Sequence, residues 1–475
     1  MFDPDIAPSG TLLGLLQRGR GDGTLHALAA PRAEALAALH HCVLRDPRRD
    51  WQIENRSLYY ARLCLDLDAG LEDIEAHLFH ADDVVDHSEE RTGLALAVLG
   101  HLASYGRRDA LLLLRRYAAT GSNWTWALDE LALRDDDTAL RALSTPILAR
   151  FPATPEGETD LAAAARDAFE PRPWRLWAEN PDDPAGAARV RAAGEQGCFD
   201  RWQRQLRPTG PRPGWSVREV LEWAQQGLDQ HPSQPRHIAA ARCLTAVASP
   251  EDRPEVVEAA RSGPDGARGA ALRFLAEQQD SEAFDLIDAA VADGSPVVAD
   301  AALASFERMR STAAIARART WAGRDDALGS AAACMLACRG GQRDADLVLS
   351  ALRRTVRTEG ADAPDLMTLV DGTGRLAIAC AAPVLRHIYR ETASSHLRGR
   401  AARALAVTDP TFASGFAVEC LWDCEESTRE LAARHAATGD QRVVERLRRL
   451  AADPAEEAEV QTAVRSRIGP DMPAV

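Results

Sequence analysis

Two stretches, RGRAARALAVTDP (398–410) and RELAARHAATGDQ (429–441), align when shifted by 31 residues: Arg398 falls on Arg429, Arg403 on Arg434, and Asp409 on Asp440. Working outward, dialanine pairs stand at Ala239-Ala240, Ala270-Ala271, Ala301-Ala302 and Ala332-Ala333, each 31 residues after the last. The phase then breaks, resumes at Ala401-Ala402 and Ala432-Ala433, and continues to Ala463. Ala332 to Ala401 is 69 residues, two periods plus seven, and DGTGRLAIACAAPVL (371–385) is expected to hold the irregular repeat. A constant spacing with helical flanks predicts a pair of short helices per repeat. Alanines are expected where two helices cross closely, because small side chains let ridges enter neighbouring grooves. Asp or Gly then ends each helix, as in ATGDQ and ASPED.

These VRxxAAxAL-like second helices at roughly 30-residue spacing resemble HEAT-like repeats of the short, phycobilin-lyase type, over about 235–467. The missing Trp-Leu-Gly-Tyr and Thr-Pro-Leu-His patterns disfavour tetratricopeptide and ankyrin repeats. The resemblance implies an all-α protein, an α-solenoid of HEAT-like helical hairpins with about 31 residues per repeat in its C-terminal half.

Upstream, amphipathic segments are expected at about 32–46, 51–67, 88–104, 107–119, 135–151 and 157–169, and strand signals are nearly absent. The organisation read from this is a diverged helical-repeat region at 1–170, a Pro/Trp/Arg-rich boundary or insertion at 171–215, the repeat array at 216–467 and a tail at 468–475. Prolines make continuous helices unexpected in EPRPWRLWAENPDDP (170–184) and RWQRQLRPTGPRPGWSVR (201–218).

All 56 basic residues are arginine, so a Schiff-base, Walker or kinase-type lysine is excluded. A net charge of −15 argues against nucleic acid as a partner, since counterion replacement needs a cationic surface. No apolar window is long enough to span a membrane, the acidic N-terminus does not read as a signal peptide, and nine irregularly spaced cysteines suit a reducing compartment. The cytoplasm is the expected location.

His77, His80, Asp82, Asp83, Asp86 and His87 in EAHLFHADDVVDHSEE (75–90) have metal-ligand chemistry but no established spacing, and read as a turn and a solvated helix start. Cys334/Cys338 and Cys420/Cys424, each four apart, are expected to lie on helix faces as core residues. His40, His41 and Cys42 are adjacent but diverge on a helix, GTGR (372–375) is a weak phosphate-loop signal, and Arg20-Gly21-Asp22 has no partner inside a cell. No catalytic residue, metal site or cofactor is read from the chain.

Two aromatic segments remain. In and just beyond RRDWQIENRSLYYARL (48–63), Ile53, Leu58, Ala61, Leu65 and Leu67 are expected to form a core stripe along 51–67, with Trp51 and Tyr59 near it. One of the Tyr59 and Tyr60 rings is expected at its edge. Arg201, Trp202, Arg204, Arg207, Arg212 and Trp215 make the best localised partner-binding candidate, since arginine with tryptophan suits carboxylates and aromatic stacking. Eight of the ten tryptophans precede residue 224. The functional expectation is a non-catalytic scaffold or adaptor that binds another protein or peptide. The alternative is a repeat-fold enzyme or ligand carrier, lyase-like or DNA-glycosylase-like.

Overall fold

The computed structural model describes residues 5–50, 53–85, 89–197, 214–232, 236–292 and 295–468; their regular secondary structure is all helical, with no strand among them. No helix there is long and apolar enough to cross a membrane. The chain divides into two compact units, one formed by residues 1–207 with 389–475 and the other by 208–388.

The 208–388 unit is a succession of helical hairpins: Val217–Gln230 with His237–Val247, Arg253–Ser262 with Asp265–Glu277, Ala283–Ala292 with Pro296–Arg308, Thr312–Trp321 with Ala327–Arg339, and Ala345–Glu359 with Leu366–Arg375. Each first helix packs on its own second helix, and the second helices pack on one another in order. The dialanine pairs sit on these second helices. Ala270, Ala271, Ala302, Ala332 and Ala333 are fully buried and Ala301 nearly so, whereas Ala239 is exposed and Ala240 buried.

The irregular repeat has a physical explanation. Its first helix, Ala345–Glu359, is 15 residues long, against 10 in each of the three preceding hairpins, so five of the seven added residues lengthen a helix. Its second helix contains the GTGR sequence, and a Cβ added at Gly372 would stand 2.4 Å from the Ala337 Cβ. That glycine therefore takes the close-crossing role that alanine takes elsewhere. Arg375 donates to the carbonyls of Ala337 (3.0 Å) and Leu336 (3.2 Å), closing the end of the neighbouring helix. Cationic side chains at a helix C-terminus satisfy orphan carbonyls and the dipole together. Arg467 does the same to Ala433, and Arg150 to Ala119 and Gly121.

In the other unit, helices Ser395–Thr408, Glu426–His435 and Ala458–Ile468 carry the later alanines, with Ala401, Ala402, Ala432 and Ala433 fully buried. They share the unit with the amino-terminal helices. Seven of those answer the six expected segments, with 51–67 beginning only at Ser57 and 135–151 split into Asp137–Ala142 and Ser144–Leu148. Helices Leu12–Gln17, Gly21–Ala29, Glu72–Leu78 and Trp124–Arg134 were not anticipated. Nor were Arg172–Ala178 and Pro184–Gly197, in and beyond the proline-rich stretch; Pro173 and Pro184 stand in first turns, where a missing N–H costs nothing.

The turn Arg18–Gly21 joins the two ends of the chain. The Cys424 N–H donates to the Gly19 carbonyl (3.0 Å), Arg398 donates to the carbonyls of Arg18 (2.6 Å) and Gly19 (3.3 Å), and Arg20 pairs with Glu419 (3.0 Å). A Cβ added at Gly21 would lie 1.9 Å from the Glu419 carbonyl oxygen, so the turn closes only without a side chain there. Further along, Arg62 bridges Asp453 (2.7 Å) and Glu456 (3.0 Å).

Candidate binding groove

The Trp124–Arg134 helix buries Ala127, Leu128, Leu131 and Ala132 on one face. Trp126, Asp129, Glu130 and Leu133, spaced i, i+3, i+4, i+7, form a neighbouring stripe. That stripe lines one wall of a cavity of about 580 Å³. Across from it stand Ala164 and Asp167 of the Pro155–Asp167 helix, then Ala168 and Phe169, and Trp124 and Trp174 also line it. The size suits a ligand-binding cleft, for which about 300–1,000 Å³ is usual.

The walls are held by identifiable contacts. Trp174 is buried edge-on against Trp177 (5.0 Å between centroids), tilted against Trp124 (6.4 Å), and the Trp177 indole N–H donates to the Leu140 carbonyl (2.7 Å). The chain leaves the Pro155–Asp167 helix at Ala168, and the Glu170 N–H donates to the Asp129 carboxylate (3.0 Å). This bond sets the 168–170 turn against the helix and leaves Phe169 81% exposed at the cavity rim, with Leu133 59% exposed opposite.

The lining is acidic as well as aromatic: Asp129, Glu130 and Asp167 belong to it and, among the described residues, no arginine does. Burial pushes the Asp129 carboxyl up to about 6, with the Glu170 N–H bond opposing the rise and the Glu170 charge adding to it. Burial likewise raises Glu130 to about 7, against the pull of Arg134, which pairs with it at 2.6 Å.

The residues singled out from sequence fall elsewhere. Arg201, Trp202, Arg204, Arg207 and Arg212 lie outside the described residues. Trp215 is half-buried edge-on against Trp223 (6.3 Å), and beside it Arg218 reaches Glu255 at 3.5 Å in a second, open cavity of about 550 Å³.

Both Tyr59 and Tyr60 are buried, contrary to the expected edge position. Their hydroxyls donate to the carbonyls of Arg20 (2.8 Å) and Leu16 (2.9 Å), because amino-terminal helices cover a second side of the Ser57–Asp66 helix. Ile53 precedes that helix and is exposed rather than part of its stripe, and Trp51 lies outside the described residues.

The histidine–aspartate cluster is dispersed by its own hydrogen bonds. His77 Nε2 contacts the Arg91 carbonyl (2.9 Å), and His80 is exposed beside Asp82. Asp83 is buried rather than solvated, accepting from Arg91 (2.8 Å), the Tyr117 hydroxyl (2.6 Å) and the Ser122 N–H (2.9 Å). Asp86 and His87 lie outside the described residues, and among those described no group of three ligands is arranged for a metal.

Cys420 and Cys424 do not share a helix, which ends at Cys420. Cys420 contacts the Tyr389 hydroxyl (3.2 Å) and Cys424 accepts from Arg398 (3.3 Å). Cys334 is buried and Cys338 exposed. Burial pushes the Cys42 thiol up to about 12, far from nucleophilic, and His40 pairs with Asp73 (2.5 Å).

The groove was missed from sequence. Its helix was not among the expected segments, and Trp124 and Trp126 registered only as part of the uneven tryptophan distribution. The available signal was the Trp126/Asp129/Glu130/Leu133 stripe, whose aromatic and aliphatic members are out of place on a purely solvated face.

No family model, no curated protein and no solved structure matches this chain.

Proposed function

We propose that the protein is a non-catalytic cytoplasmic scaffold, an α-solenoid of HEAT-like hairpins that binds another protein or peptide. The observation that carries this reading is the pair of exposed apolar side chains, Phe169 and Leu133, on the rim of one aromatic-walled cavity. Single exposed apolar residues are ordinary, but two sharing a cleft form a patch whose burial favours a partner. The consecutive packing of the alanine-bearing helices supports the solenoid arrangement.

The test is selection of random displayed heptapeptides on the intact protein, followed by challenge with a Leu133→Ser/Phe169→Ser variant. Full burial of a Leu or Phe side chain contributes about 1.5–3 kcal/mol. Peptides that use the groove should therefore bind the variant at least tenfold more weakly, while its melting temperature is unchanged. A selection yielding no peptide that distinguishes the two proteins would sink this reading.

One observation favours the alternative of a repeat-fold enzyme or ligand carrier: a Glu130 carboxyl near 7 could exchange a proton at neutral pH. The acidic lining disfavours its DNA-glycosylase-like form, which needs cationic groups for the phosphate backbone. A lyase-like activity would appear as chemistry on a bound small molecule that Glu130→Gln abolishes.

A further inference from the structure

We propose that the groove receives an arginine or lysine side chain of the partner, which makes the partner a basic peptide with apolar residues beside the cation. This rests on the reading of the groove as a docking site and adds the chemistry of its occupant. Three carboxylates and four aromatic rings, Trp124, Trp126, Phe169 and Trp174, line the cavity, and among the described residues no basic side chain does. Aromatic faces attract cations through their quadrupole, and arginine gains most because its planar guanidinium also stacks.

The charges are not all satisfied within the protein. Glu130 has Arg134, and Asp167 has Arg166 at 3.0 Å. Asp129 accepts the Glu170 N–H, and among the described residues no cation pairs with it. A carboxylate half-buried in an apolar wall without a counter-charge is costly, and a ligand cation placed over the neighbouring rings would offset that cost. The rings already take part in this chemistry, since the Arg150 guanidinium carbon stands 5.6 Å from the Trp124 ring centroid. Leu133 and Phe169 at the rim then supply apolar contact for the flanking residues or for the aliphatic stem of the cation.

The peptides selected above provide the experiment. Those that depend on Leu133 and Phe169 should be enriched in arginine or lysine. Replacing the basic residue by neutral citrulline or norleucine should weaken binding to the unaltered protein at least tenfold. The same replacement should matter less than threefold on Asp129→Asn, whose amide oxygen still accepts the Glu170 N–H. Groove-dependent peptides without basic residues, or a citrulline peptide binding as well as its arginine parent, would overturn the cation proposal and leave the docking reading standing. Basic peptides that bind regardless of Leu133 and Phe169 would overturn it too, since general attraction to an acidic chain would explain them. The docking reading itself falls only if no selected peptide depends on the groove.

Discussion

Arg398 and Arg429 hold the same place in two repeats, three residues before a dialanine pair, and the structure predicts unequal consequences of losing them. Arg398 grips Asp423 with two bonds (2.8 and 3.0 Å), and both side chains are fully buried. Arg429 grips Glu456 in the same way (3.0 and 2.7 Å), again buried. The difference is a second cation. Glu456 is also bound by Arg62 at 3.0 Å, whereas the other acceptor bond of Asp423 comes from the Glu425 N–H. Arg398→Met therefore leaves a buried carboxylate without a cation, and breaking a buried pair from one side costs about 3–5 kcal/mol. Arg429→Met loses charged hydrogen bonds but leaves Glu456 paired, a cost of about 1.5–3 kcal/mol. The unit has roughly 290 residues, for which the unfolding entropy is about 0.6 kcal/mol/K. The expected falls in melting temperature are about 5–8 °C for Arg398→Met and about 2–5 °C for Arg429→Met, read by calorimetry and far-ultraviolet circular dichroism. Arg398→Met/Asp423→Leu should regain part of the loss, because the orphaned charge is gone. Equal falls for the two single variants, or a double variant no better than Arg398→Met, would refute the reasoning.

Glu456 also sets an acid limit. Burial would raise its carboxyl, but Arg429 and then Arg62 hold it down to about 2, so its stabilisation is present above its unfolded value near 4.5 and is lost as pH falls towards 2. Melting temperatures between pH 5 and 2 should show that limb shifted to higher pH in Arg429→Met. Ala402→Leu should cost about 1–3 kcal/mol by overpacking a fully buried crossing, and Ala451→Leu, at a half-buried position, clearly less; equal urea midpoints would count against close crossings. Gly21→Ala, whose Cβ would meet the Glu419 carbonyl, should destabilise by at least about 1–3 kcal/mol, while Gly194→Ala, with no atom within 4 Å of the added carbon, should stabilise by about 0.5–1 kcal/mol. Chelators should leave the melting temperature unchanged, because Arg91, Tyr117 and Ser122 already occupy the groups around Asp83; a fall would overturn the reading of 77–87 as a turn without metal.

What the amino-acid sequence by itself determined is local: the helical class, the period of 31 and the buried alanines at 270–271, 332–333, 401–402 and 432–433. Helix periodicity and side-chain size act within a few turns, so residues that carry them can be read without knowing what lies opposite. The same locality explains the errors at the Tyr59/Tyr60 pair and at Asp83, where a second covering element turned an expected edge or solvated position into a buried one. Only the tertiary structure decided which groups meet. Arg398 reaches carbonyls 380 and 379 residues away, at Arg18 and Gly19, and the Asp129 carboxylate finds its N–H donor 41 residues on at Glu170. Closing a longer loop costs entropy only logarithmically in its length, so chain separation scarcely restricts which buried arginine finds which partner, and packing makes the choice.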